Sequence, residues 1–206
     1  MEEFYDISGN VSVTILAAAV IIALRKFRTL SENEKWYLYY IAFIAVIEAI
    51  SYSITYCELA LSKATLYPVY IAGEFFVVTG IFLKKLKMPR YCFFLTALIS
   101  LFILLADKLI PGYINDFSKA FSNIGIIVLA MLSLLSEIRK GDGKDRFLNV
   151  DKMLFLYFSV SIFIFVFQYQ LFKLPPEYFG TIWVINNVML CVFYSVILYT
   201  FLKLKK

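Results

Sequence analysis

ATLYPVYIAGEFFVVTGIFL, residues Ala64–Leu83, carries a single charge, Glu74, in twenty positions. About 20 residues of helix, rising about 1.5 Å each, span the roughly 30 Å hydrocarbon core of a bilayer. Six further runs of this kind flank it, bounded by charged residues: Ile7–Leu24, Trp36–Cys57, Tyr91–Ala106, Ala120–Ser136, Met153–Phe172 and Tyr178–Leu202. The fourth run, Tyr91–Ala106, is short and takes Arg90 or Asp107 as a snorkelling end. The pattern predicts an all-α, polytopic integral membrane protein, with one domain of seven transmembrane helices over residues 1–206.

Composition points the same way. The 206 residues are 62% hydrophobic and only 17% charged, where a soluble domain is about 25% charged. The net charge of +5 suits a nucleic-acid partner only if the basic residues share a face. They cluster instead at the ends of apolar runs, as at a bilayer surface, so no nucleic acid is expected.

Orientation follows from the same residues. If the runs alternate in direction, one side receives Arg25, Lys26, Arg28, Lys35, Lys84, Lys85, Lys87, Arg90, Arg139, Lys140, Lys144, Arg146, Lys152, Lys203, Lys205 and Lys206. The other receives only Lys63, Lys108, Lys119 and Lys173. The positive-inside rule then places the C-terminus in the cytoplasm and the N-terminus outside. Trp36, Tyr37, Tyr39 and Tyr40 read as an interfacial aromatic belt at the inner boundary, with Tyr178 and Trp183 towards the outer one. The start MEEFYDISGN lacks the basic region of a cleavable signal, so the first run is expected to be retained. Short connections and the lack of a targeting segment suggest a cell membrane, specifically the cytoplasmic membrane of a bacterium.

Several chemistries are excluded or unsupported. Histidine is absent, which removes His-ligated metals, His-held haem and Ser-His or Cys-His catalysis. Cys57, Cys92 and Cys191 form no paired frame and read as small buried residues. No cofactor or metal is expected. A retinal protein needs a lysine in the middle of helix seven, and Tyr178–Leu202 has none. The Asp-Arg-Tyr and Asn-Pro-x-x-Tyr signatures of G-protein-coupled receptors are missing. No proline falls in mid-run, which argues against broken-helix carriers. FIAVIE (Phe43–Glu48) and FIFVFQ (Phe163–Gln168) hint at a 3+1+3 repeat around the fourth helix.

The polar groups inside the runs define the candidate site. Glu48 lies about 18 Å above Trp36, and Glu74 about 13 Å above Leu83. Their helices are consecutive, and the two carboxyls are expected to share a site. Glu48, Ser51, Tyr52, Thr55 and Tyr56 follow one helical face, as do Tyr67, Tyr70 and Glu74. Tyr157, Ser161 and Gln168 line the sixth helix; Trp183, Asn187, Cys191 and Tyr194 line the seventh, with Asn186 beside them. The candidate ligand-binding set is Glu48, Tyr52, Tyr70, Glu74, Gln168 and Asn187, with no catalytic residue assigned. No lysine or arginine is expected at mid-depth, so at least one carboxyl should be protonated at neutral pH. In the plainer reading, such a group only ties helices together by hydrogen bonds. Gly73 and Gly80, seven apart on one face, should admit close packing of a neighbouring helix.

No effector domain is expected. The leading functional expectation is a non-enzymatic, receptor-like or accessory membrane subunit. It would bind a small ligand, lipid or partner and address a signalling or membrane partner through its basic cytoplasmic loops. The alternatives are a small-solute or ion carrier, proton-coupled through Glu74, and an intramembrane lipid enzyme using the two carboxylates as acid and base.

Overall fold

The apolar runs all become helices, most of them longer than the hydropathy suggests. A computed structural model describes the backbone of residues 2–56, 62–141, 145–171 and 176–204, and the side chains within those ranges except 2–6, 167–171 and 176–179. The helices are α1 (Glu2–Arg25), α2 (Lys35–Tyr56), α3 (Lys63–Lys85), α4 (Arg90–Leu109), α5 (Asn115–Lys140), α6 (Leu148–Leu171) and α7 (Pro176–Lys203), with a 3₁₀ turn at Phe27–Thr29. All seven contain stretches long and apolar enough to cross a membrane, and no strand occurs among the described residues. Prolines act as starters: Pro89 caps α4 and Pro176 opens α7, where a missing N–H costs nothing. Pro68 lies in the second turn of α3.

Helix contacts close a ring in the order α1, α2, α3, α5, α6, α7 and back to α1, while α4 packs outside, mainly on α3. The FIAVIE/FIFVFQ likeness does not extend to packing. Phe43 lies against the core, whereas its counterpart Phe163 is 65% exposed.

Glycines set the α2–α3 contact. A Cβ on Gly73 would fall 2.2 Å from the Phe43 ring, and one on Gly80 would fall 2.2 Å from the Trp36 ring. The seven-residue spacing expected for close packing thus serves two ring-shaped knobs, themselves seven apart on α2.

One helix turns apolar residues outward and polar ones inward. On α5, Phe117, Phe121, Ile124 and Val128 are exposed, whereas Ser118, Lys119, Ser122 and Asn123 are buried. This reverses the pattern of a water-facing helix. It also corrects the belt assignment of two aromatics: Tyr37 and Tyr40 are each 1% exposed, inside the ring. They share the buried stripe of α2 with Ile41 and Ile44, while Tyr39 looks out.

Candidate functional site

Three polar groups succeed one another along the ring. At the end carrying most basic residues, Lys85 of α3 pairs with both Asp145 and Asp151, and the Tyr37 hydroxyl also donates to Asp151. Lys85 further donates to the Tyr37 hydroxyl at 3.3 Å. Asp151 is fully buried, so it needs these partners to remain an anion there. Tyr37 stacks on Phe147 with ring centroids 4.5 Å apart, and Phe147 meets Phe201 of α7. Arg146 grips Glu34 bidentately, Nε to Oε1 at 2.9 Å and Nη2 to Oε2 at 2.6 Å. Burial opposes the Glu34 charge, but hydrogen bonds from Arg146 and Ser31 outweigh it and hold the carboxyl below its usual range. Lys26 donates to the carbonyls of Leu202 and Leu204, tying α1 to the end of α7. These contacts close this end of the bundle.

In the middle lies Glu74, 1% exposed. Its Oε2 pairs with Lys119, itself fully buried, on α5. Its Oε1 accepts from Tyr70 at 2.9 Å and from Tyr40 at 3.5 Å. Lys119 also donates to the Tyr70 hydroxyl at 3.0 Å and lies over the rings of Tyr70, Phe158 and Phe165. Such faces favour a desolvated ammonium. This overturns the expectation that no cation reaches mid-depth. Lys119 lies beyond the edge of the apolar run, but α5 begins at Asn115, so the lysine is already one turn inside. Its flexible stem then carries the charge to α3.

One turn along α5, Asn123 is also fully buried; its amide donates to Ser161 of α6 at 3.2 Å, and its Oδ1 has no partner. Thus Lys119, Ser122 and Asn123 form a polar stripe missing from the sequence-derived site. Their i, i+3, i+4 spacing was the available signal.

Towards the other end, two cavities adjoin. One, of about 400 Å³, lies among α1, α2, the start of α3 and α7, with Asn10, Glu48, Tyr52, Lys63 and Asn187 in its wall. The second, of about 230 Å³, is lined by Glu48, Ser51, Lys63, Tyr67 and Tyr70, among others. Glu48, Ser51 and Lys63 belong to both. Tyr52 donates to Asn10 at 2.8 Å, and Asn187 donates to Ser8 at 3.3 Å. Tyr67 turns away from Glu74 and donates to Asp116 at 3.1 Å.

The candidate residues therefore separate. Glu48, Tyr52 and Asn187 line the larger cavity; Glu48 and Tyr70 line the smaller. Glu74 lines neither, and Tyr70 connects it to the cavity wall. The Gln168 side chain lies outside the described residues. Lys63, Asn10 and Ser51 join the wall, of which only Ser51 lay on a face the sequence singled out. Among the described residues, no cluster of acidic and cysteine side chains is able to hold a metal.

No family model, curated protein or solved structure matches the chain.

Proposed function

We propose that this chain is a seven-span integral membrane protein, with its N-terminus outside and C-terminus in the cytoplasm, that works as a receptor-like or accessory subunit. It binds a small polar ligand in the adjoining cavities around Glu48. The inside-out character of α5, apolar outward and polar inward, supports insertion. The sixteen-to-four distribution of lysine and arginine between the two sides supports the orientation. One observation carries the binding role: the cavities lie at one end of the helix ring while ionic contacts close the other. Arg25, Arg28, Lys87, Arg90, Arg139 and Lys152 remain exposed at the closed end and offer a basic surface to a cytoplasmic partner.

Ser51→Phe tests the reading, because it fills a wall common to both cavities. In a thermal-shift screen of the full chain in detergent, a ligand that stabilises wild type should not stabilise Ser51→Phe. Identical responses of the two proteins to every ligand would overturn the binding role.

A second reading, a proton-coupled carrier, is favoured by Tyr70. Its hydroxyl bonds both partners of the buried pair, and its side chain lines the smaller cavity. A solute reaching Tyr70 would disturb the Glu74–Lys119 pair directly. The lipid-enzyme reading draws no support from this arrangement, since Glu74 is engaged by three side chains and lines neither cavity.

A further inference from the structure

Among the described residues, Glu48 and Lys63 are the only charged ones lining the two cavities, and both line each of them. Their opposite charges attract each other across the cavity wall, yet neither makes a hydrogen bond or ion pair with another described residue. Every other charge described above inside the bundle is engaged: Glu74 with Lys119, and Lys85 with Asp145 and Asp151. A lone cation in the cavity would meet Lys63, and a lone anion would meet Glu48. A neutral solute would leave the half-buried Glu48 carboxylate without a hydrogen-bond partner among the described residues, which is costly.

We infer that the cavity pair binds a zwitterion of amino-acid type, its ammonium group at Glu48 and its carboxylate at Lys63. This rests on the cavities being the binding site.

The order of the two ends follows from exposure. Glu48 is half-buried in α2, whereas Lys63 is exposed as the first residue of α3. The ligand therefore goes in ammonium first and leaves its carboxylate at the mouth. The positive end of the α3 dipole lies at Lys63 and adds to its pull on an anion. Asn10, Tyr52 and Asn187 add amide and hydroxyl groups to the wall of the larger cavity. A larger cavity of about 400 Å³ sits near the lower end of the roughly 300–1,000 Å³ usual for small-molecule sites, which selects a small ligand.

The test uses full-length protein in detergent and matched probes, read by thermal shift and calorimetry. L-alanine is compared with ethylamine and propionate, and L-phenylalanine with phenethylamine and 3-phenylpropionate. An amino acid should bind at least about tenfold more tightly than its amine or acid, a gap of about 1.4 kcal/mol. Lys63→Gln should erase the preference over the amine, and Glu48→Gln the preference over the acid.

An amine or acid that binds as well as its amino acid, and loses binding in Ser51→Phe, overturns the zwitterion while leaving the cavity reading intact. Silence of all six probes on wild type also overturns the zwitterion, and the broader screen then judges the cavity. Equal, non-additive losses of ligand-free stability in Glu48→Gln, Lys63→Gln and the double variant would show that the two residues pair with each other. That outcome, too, overturns the proposal.

Discussion

The two ends of the helix ring handle charge in opposite ways. At the basic end, Lys85 has two carboxylates, buried Asp151 has a lysine and a tyrosine, and Glu34 has a bidentate arginine. At the other end, Glu48 and Lys63 stand in a common cavity wall without such partners among the described residues. A buried ion network with its hydrogen bonds filled in holds helices in register, and it is costly to break. Charges kept partly desolvated and unpaired add little to folding, so their presence calls for another explanation. The closed end reads as construction, and the open end is where we propose recognition takes place.

The sharpest way to break this contrast is to remove Lys85. Lys85→Met strands two carboxylates, one fully buried, and should cost about 3–5 kcal/mol in reversible unfolding. Adding Asp151→Leu should recover much of the loss, because the uncompensated anion disappears with its partner. A loss under about 1 kcal/mol in Lys85→Met would remove the closed end's claim to be structural.

Glu34 gives a smaller effect at the same end, with a pH signature. Its folded carboxyl titrates below the ordinary 4.5 because Arg146 and Ser31 outweigh burial. The stability it adds is therefore fully present above the unfolded value and is lost as pH falls through the depressed folded value. Glu34→Gln should cost about 0.5–1 kcal/mol at pH 7, and the difference from wild type should fade below about pH 4. A difference that grows on acidification would contradict the pairing. Glu34 is outside the apolar run of α2, so this titration takes place in water.

Much of this contrast was legible in the sequence. Seven helices follow from seven apolar runs, only two of which carry a charge, and Tyr70 over Glu74 follows from i, i+4 spacing. Glu74's counter-ion was hidden because an apolar run marks where hydropathy rises, while a helix begins where its backbone bonds begin. Exposed Phe117 and Phe121 continue the outward face of α5 past Lys119, so the helix starts before the hydropathy edge. Tyr37 and Tyr40 were misassigned to the belt because proximity to a boundary fixes depth, not facing. Their three-residue spacing, in phase with Ile41 and Ile44, marks the inner face that Tyr39 misses. The Lys85–Asp145–Asp151 cluster was out of reach for a different reason. Its members come from α3, the α5–α6 connection and α6, and only the ring order brings them together.

The smallest effect in stability is the one on which the comparison turns. Glu48→Gln keeps the volume and hydrogen-bonding capacity of the side chain and removes only its charge. At a structural position such as Glu74, this change leaves a lysine unpaired in the interior and must be costly. At Glu48 it removes a charge that makes no hydrogen bond or ion pair with another described residue. Ligand-free stability should therefore stay within about 0.5 kcal/mol of wild type, or rise. The same variant should lose its response to amino acids in the thermal-shift assay. Stability spared and binding lost together mark a residue kept for a ligand. A clear loss of ligand-free stability would instead make Glu48 another helix tie, and the two ends would then differ in solvent exposure rather than in purpose.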